Sequence, residues 1–291
     1  MRIVFMGTPE FAVPCLNKII NDSHEMLAVF CQPDRPRGRK MLPAPPPVKL
    51  CAMARGLRVE QPEALRGNDG AITLLRELAP DVIVVVAYGQ ILRREILDLP
   101  KYGCVNVHAS LLPQYRGAAP YQWAILNGET ETGVTTMQMD AGIDTGDILL
   151  QETCAIPEDM TAGALHDLLS DLGAQTLART LKAMEEGSLA PIPQDNSYAS
   201  YAPMLHRGMS PIDWSRSARE VHNQVRGLYP WPGAAMEFYG KLLKVHRSRL
   251  CETGGTPLHI RCGDGNYIEL LTVQAEGKRA ISAEDFLRGI R

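Results

Sequence analysis

The sequence predicts an α/β chain in two parts: a doubly wound, Rossmann-like N-terminal domain and a small C-terminal OB-like β-barrel. Three observations lead there. The first half alternates apolar strand-like runs with helix-forming stretches, the pattern of a parallel sheet covered on both faces. One of those runs, Val82-Ile83-Val84-Val85-Val86-Ala87, is apolar at every position, so both of its faces must be buried. Beyond residue 205 the pattern changes to short strands separated by turns at Gly240, Gly254-Gly255 and Gly263-Asp264-Gly265.

Taken in order, Ile3–Met6, Met26–Cys31, Asp81–Ala87 and Cys104–His108 are the expected strands of the first sheet. Thr8-Pro9-Glu10 predicts a helix start, with Thr8 as cap and Pro9 at the first helical position. Gly70–Leu78 predicts a second helix, and Met160–Glu186, begun by Thr161, a long third one. Thr132–Met139 and Asp147–Cys154 are two more strands, with Asp144 in the loop between them. Ser217-Ala218-Arg219-Glu220 is a capping box that opens a short helix ending near Gly227. These elements predict a domain over 1–186, a Pro- and Ser-rich linker over 187–204, and a barrel over 205–291.

Composition narrows the function classes. Hydrophobic residues at 45% and charged residues at 22% suit a folded chain with a sizeable core and exclude a disordered one. No apolar run approaches the roughly 18 residues of a membrane span. Met1-Arg2 runs straight into Ile3-Val4-Phe5-Met6, too short an apolar stretch for a secretion signal. Seven cysteines, with no Cys-x-x-Cys pair, imply reduced thiols in a cytoplasm rather than a disulfide framework or a zinc site. Gly7-Thr8-Pro9 sits where a dinucleotide fingerprint would, yet it lacks the G-x-G-x-x-G spacing, which argues against an NAD enzyme.

The densest chemistry lies in residues 104–147. Asn106 and His108 are two apart on a strand and therefore face the same side. They read either as satisfied core polars or as a site. An amide, an imidazole and the carboxylate of Asp144 are the groups that move an acyl unit onto an amine. The amide polarises a carbonyl, the imidazole handles the proton, and the carboxylate steadies the resulting charge. Asp144-Thr145-Gly146 is also a good turn on its own terms. The histidines at 24, 166, 206, 222, 246 and 259 have no comparable setting and read as structural or solvated.

Several spaced motifs, in order, resemble the folate-dependent formyltransferases. They are Asn106-x-His108, Ser110-Leu111-Leu112-Pro113-x-Tyr115-Arg116-Gly117, Asp144-x-Gly146, Gln32-Pro33-Asp34-Arg35-Pro36 and Gly277-Lys278-Arg279-Ala280. Within that family the resemblance is to the branch that acts on methionyl-tRNA, and it spans essentially the whole chain. It implies 10-formyltetrahydrofolate as formyl donor, without a metal, and the α-amine of methionine on initiator tRNA as acceptor. It implies catalysis by Asn106, His108 and Asp144. It implies a folate pocket lined by Ser110, Leu111, Leu112 and Pro113, with backbone around Gln90 and Leu92 reading the pterin. A free α-amine has a pKa of about 7.7–8.0 and must lose a proton before attack, a task within the titration range of imidazoles.

Two basic regions suit an RNA partner. Residues 34–49 carry Arg35, Arg37, Arg39, Lys40 and Lys49 among prolines and predict an exposed loop, read either as simply solvated or as a wedge that meets RNA. The resemblance implies that this loop enters the acceptor stem, with Arg39 the residue most expected to do so. Residues 205–291 hold 13 basic against 9 acidic side chains, while residues 1–204 hold 17 against 24. There Lys241, Lys244, Arg247 and Arg249 fall on an expected pair of strands. The competing readings are a formyltransferase acting on an amino sugar nucleotide, a hydrolase releasing formate from the folate, and a folate- or RNA-binding regulator. No membrane and no obligate protein partner is implied.

Overall fold

The computed structural model describes residues 1–37 and 41–289. In chain order its strands are β1 (Arg2–Gly7), β2 (Glu25–Phe30), β3 (Arg35–Arg37), β4 (Leu42–Ala44), β5 (Val59–Glu60), β6 (Val82–Val86), β7 (Cys104–His108), β8 (Arg116–Gly117), β9 (Glu131–Gln138) and β10 (Ile148–Ala155), followed by β11 (Tyr201–Ala202), β12 (Ala234–Phe238), β13 (Lys241–Cys251), β14 (His259–Arg261), β15 (Tyr267–Ala275) and β16 (Ile281–Ser282). The helices are α1 (Val13–Asn21), α2 (Pro47–Ala54), α3 (Asp69–Leu78), α4 (Arg94–Leu97), α5 (Pro120–Leu126), α6 (Ala162–Glu186), α7 (Ala218–Gly227) and α8 (Ala283–Arg288). Two compact units form. One comprises Met1–Arg116, Gly133–Thr153 and Asp167–Ser200; the other comprises Gly117–Thr132, Cys154–His166 and Tyr201–Arg291.

The first unit is built on a seven-stranded sheet in the order β10-β9-β7-β6-β1-β2-β5. Strands β2, β1, β6 and β7 run parallel, and β9 turns antiparallel to β7. The run Val82–Val86 lies at the centre and is buried at all five positions, as a strand covered on both sides must be. On one face Val4, Met6, Phe30, Ile83 and Val85 pack with Ile72 and Leu75 of α3. The strand order reverses between β1 and β6, which places a crevice beyond their carboxyl ends. There Thr8 Oγ1 donates to the carbonyl of Tyr88 at 2.9 Å and accepts from the amide of Gln32 at 3.2 Å. The loops after β1, β2 and β6 are thereby tied to one another.

That use of Thr8 corrects the expected cap. A 3-10 turn at Glu10–Ala12 intervenes and α1 begins at Val13, with Pro14 in its first turn. Residues 34–49 also depart from a plain loop. Strands β3 and β4 pair antiparallel as a small hairpin, and Pro47 opens α2. The prolines that suggested irregular chain occupy positions where proline fits, a minimal ribbon and the first turn of a helix. The stretch after α6 is anchored as well: Ile192 exchanges two backbone bonds with Ile148, at 2.8 and 2.9 Å.

The second unit carries a five-stranded antiparallel sheet, ordered β12-β13-β15-β14 with β16 beside β15. Helix α7 packs Ala218, Val221 and Val225 onto Met236, Val245, Leu270 and Val273 of that sheet. Its capping box forms as expected, Ser217 accepting from the amide of Glu220. His222 on α7 is buried; its Nε2 donates to the carbonyl of Glu158 at 3.1 Å, and its Nδ1 pairs with Ser248 Oγ at 2.9 Å. Burial pushes its pKa below the ordinary 6.5, and the Arg226 charge adds to this against the Glu158 carbonyl and the Asp159 and Glu158 carboxylates. The unfolded chain therefore binds the proton more readily, so this contribution to stability is intact above about pH 6.5 and fades as pH falls below it. Thermal melts between pH 7.5 and 5 are expected to show a smaller acid-side decline for His222→Gln than for the parent; parallel declines would refute this.

Candidate active site

Strand β7 delivers Asn106 and His108 to the same side, near the carboxyl end of the sheet. Its partner β9 sets Thr135 opposite His108 and Met137 opposite Asn106. His108 is 7% exposed. Its Nε2 lies 2.9 Å from the carbonyl oxygen of Tyr115, and its Nδ1 lies 3.6 Å from Asp144 Oδ2. A carbonyl only accepts, so Nε2 carries a hydrogen and donates it. In the neutral ring Nδ1, the nitrogen that faces Asp144, is then the atom without a hydrogen. A protonated imidazole would form an ion pair there with the carboxylate. Asn106 is half-buried, and its carboxamide makes no hydrogen bond to the chain among the described residues. Three of the sequence-predicted site residues therefore lie in one unit, with His108 and Asp144 side by side.

The loop holding Asp144 is shaped by its own residues. Asp144 adopts φ +53°, a left-handed conformation that aspartate tolerates better than most residues. Asp140 organises the turn by accepting from Thr145 Oγ1 at 2.7 Å and from the amide of Gly142 at 3.0 Å. Gly146 is required: a Cβ there would stand 1.7 Å from the carbonyl oxygen of Gln138.

Residues Ser110–Pro113 divide into frame and surface. Ser110 is fully buried, and its hydroxyl donates to the carbonyl of Gln114 at 2.7 Å. Leu112 is 3% exposed. Thr135 Oγ1 accepts from its amide and donates to the carbonyl of Ser110, while Gln151 Nε2 donates to its carbonyl at 2.9 Å. Ser110 and Leu112 are thus buried in the frame of this segment, and Leu111 and Pro113 are its partly exposed members. Gln90 is likewise turned inward, its amide bonded to Leu65 N at 2.7 Å and to the Pro62 carbonyl at 3.1 Å. The backbone groups of Gln90, Ile91 and Leu92, by contrast, make no hydrogen bond within the chain among the described residues, and Ile91 is 76% exposed. Sequence reasoning missed Thr135, Gln151 and the Tyr115 carbonyl, because a threonine and a glutamine in strands leave no motif.

The basic residues separate similarly. Arg39 and Lys40 lie outside the described residues. Arg35 is exposed and 3.3 Å from Glu63, and Arg37 ends β3. Lys49 is neutralised by Asp34 at 2.8 Å. The expected pair of strands for Lys241, Lys244, Arg247 and Arg249 is the single strand β13. Its pairing with β15 shifts register between Val245 and Ser248. Each strand passes one unpaired residue there, His246 on β13 and Leu271 on β15, so the register is restored beyond it while the phase of the side chains flips, and Lys244, Arg247 and Arg249 are all exposed despite their odd spacing. Arg249 is paired with Glu269 at 2.9 Å, whereas Lys241, Lys244 and Arg247 have no ion-pair partner among the described residues.

Nucleophilic catalysis by a thiol finds no support. Burial raises all seven cysteines, Cys104 and Cys15 to about 12 and Cys31 to about 11, so they stay protonated at neutrality. Among the described residues no group of three or more His, Cys, Asp or Glu is arranged to hold a metal, and no helix is long and apolar enough to cross a membrane.

A family model described as formyl transferase matches residues 1–181, and one described as formyl transferase, C-terminal domain, matches residues 205–291. The chain belongs to the formyltransferase family. Among its relatives is a methionyl-tRNA formyltransferase of Geotalea daltonii, 50% identical over 301 residues, covering 100% of this chain and 96% of that protein. A second, from Caldanaerobacter subterraneus subsp. tengcongensis, is 49% identical over 300 residues, covering 99% of this chain and 97% of that protein. Among solved structures, an N-formyltransferase of Helicobacter canadensis in complex with folinic acid and dTDP-3-aminofucose superposes with a TM-score of 0.72 at 21% identity, covering 94% of this chain and 98% of that one. At that identity the likeness is one of fold. Within the family frame, Gly146→Ala is expected to cost about 1–3 kcal/mol of stability through overpacking and to lower formyl transfer further by displacing Asp144. Denaturant titration alongside rate measurement checks this; a parental rate would show that the loop absorbs the added methyl.

Proposed function

We propose that this chain transfers the formyl group of 10-formyltetrahydrofolate to the α-amine of methionine esterified to initiator tRNA, in the cytoplasm. The observation that carries this is identity near 50% with methionyl-tRNA formyltransferases over both parts of the chain. The amino-sugar alternative shares only the fold at 21% identity. The catalytic part is assigned to 1–186 and the tRNA-holding part to 205–291, joined by 187–204.

The donor supplies an activated formyl carbon. Unpaired backbone at Gln90–Leu92 suits the edge of a pterin, whose ring presents donors and acceptors in a row, with Leu111 and Pro113 as apolar walls. Asn106 donates its amide N–H to the formyl oxygen as negative charge builds there. His108 takes the proton of the attacking amine at Nδ1, the nitrogen left open by the Tyr115 carbonyl. Asp144, at 3.6 Å, stabilises the imidazolium that results. Collapse of the tetrahedral adduct breaks the bond between the formyl carbon and the folate nitrogen, which takes back a proton from the imidazolium and leaves as tetrahydrofolate, returning His108 to its neutral form. Arg35, Arg37, Arg39 and Lys40 of the basic 34–49 segment, and Lys241, Lys244 and Arg247 on β13, meet the phosphates of the tRNA. Arg249, already paired, contributes least.

An assay with charged initiator tRNA, formyl-folate and an amino sugar nucleotide tests the reading; transfer to the sugar alone would reject it. His108→Ala is expected to lose on the order of 10²–10⁴ in rate, and a rate within a few-fold of the parent would remove His108 from the chemistry. The double variant Lys244→Ala/Arg247→Ala is expected to reduce the slope of log affinity for tRNA against log salt by about two, with folate binding unchanged. An unchanged salt slope would take these two side chains off the RNA.

A further inference from the structure

We infer that residues 192–200, predicted from sequence to be a mere connection, form a positioning strap that fixes both neighbours of the His108 imidazole, with Gln194 as its principal residue. The inference rests on the proposed role of His108 and Asp144.

One arm of the strap reaches the Asp144 loop. Gln194 Nε2 donates to the carbonyl of Asp144 at 2.9 Å and to that of Gly146 at 2.7 Å. Its Oε1 accepts from Arg116 Nε at 3.1 Å and Nη2 at 2.7 Å. Both amide hydrogens and both lone pairs are thereby used. The amide cannot be reversed, because its oxygen would then face two carbonyls and its NH₂ would face a guanidinium. Arg116 is 2% exposed, and Nη2 also donates to Asn196 Oδ1 at 2.9 Å. Among the described residues this buried cation is held by side-chain amide oxygens rather than by a carboxylate.

The other arm reaches Tyr115. Ser200 Oγ accepts from the amide of Tyr115 at 2.9 Å, and the Ser200 carbonyl accepts from the amide of Arg116 at 2.8 Å. Ser200 N in turn donates to the carbonyl of Pro113 at 3.3 Å. The carbonyl of Tyr115 is the acceptor of His108 Nε2. Tyr115 at φ +58° and Asp144 at φ +53° both sit in the left-handed region, which is uncommon outside glycine and costs a bulky residue such as tyrosine more than an aspartate. The strap holds both residues, on either side of the imidazole. The Ile192–Ile148 backbone pair anchors its first end.

Gln194→Glu separates positioning from space-filling. Glutamate keeps the length and still accepts from Arg116, but it has no hydrogen to give to the carbonyls of Asp144 and Gly146. We expect its kcat to fall by about 10- to 100-fold, as for a displacement near 1 Å, with KM for the folate within a few-fold of the parent and little change in melting temperature. In a His108→Ala background the same substitution is expected to change the residual rate less than about twofold, because there is no imidazole left to position. Ser200→Ala tests the second arm by the same readouts and serves if the Glu variant does not fold. A parental kcat for Gln194→Glu, or an undiminished loss in the His108→Ala background, would overturn the strap. Parental activity of His108→Ala alone would instead overturn the proposed chemistry.

Discussion

The imidazole of His108 is held between a carbonyl that can only accept and a carboxylate that can only favour positive charge, and the surrounding structure is organised around that sandwich. The Tyr115 contact fixes the tautomer, so the ring has one nitrogen open to proton exchange. Asp144 faces that same nitrogen. A buried side chain in this position is useful only if both neighbours stay put, and both are residues in left-handed backbone. The bonds from Thr135, Asp140, Gln151, Gln194 and Ser200 therefore serve a geometric end rather than adding up as independent stabilisers.

The same economy shapes the surroundings. Thr135 lies opposite His108 in the ladder, and its hydroxyl bonds both Ser110 and Leu112. One β9 residue thus locks the exit of the strand that carries the histidine. Thr8 links the loops following three parallel strands. Ser110 and Leu112, the buried members of a conspicuous sequence motif, are tied into the wall by internal hydrogen bonds, while Leu111 and Pro113 stay partly exposed.

Electrostatics in the second unit depend on backbone irregularity. Without the paired irregularity at His246 of β13 and Leu271 of β15, Lys244 and Arg247, three apart, would point to opposite faces of the sheet, and one cation would be driven into the core. That irregularity puts both on the solvent side while Leu243, Val245 and Ser248 stay buried. Formal charge is also a poor guide to available charge. Lys49 and Arg249 are compensated by Asp34 and Glu269, so the basic count read from the sequence overstates what an anionic partner would meet.

The sequence by itself determined six of the seven sheet strands of the first unit, all but the two-residue edge strand β5, together with the long helix, the capped helix α7 and the pairing of Asn106 with His108 on one side of β7. These depend on local periodicity and capping, which are written in neighbouring residues. It also placed Asp144 in the correct loop. Only the tertiary structure decided that Thr8 ties loops instead of capping, that the proline-rich stretch is a hairpin and a helix, and that Ser110 is internal. It alone revealed that the stretch after α6 reaches back to the histidine's neighbours. Each of those outcomes turns on a hydrogen bond between residues far apart in the chain, such as Gln194 with Asp144 at a separation of 50. No local pattern encodes where such a donor will find its acceptor.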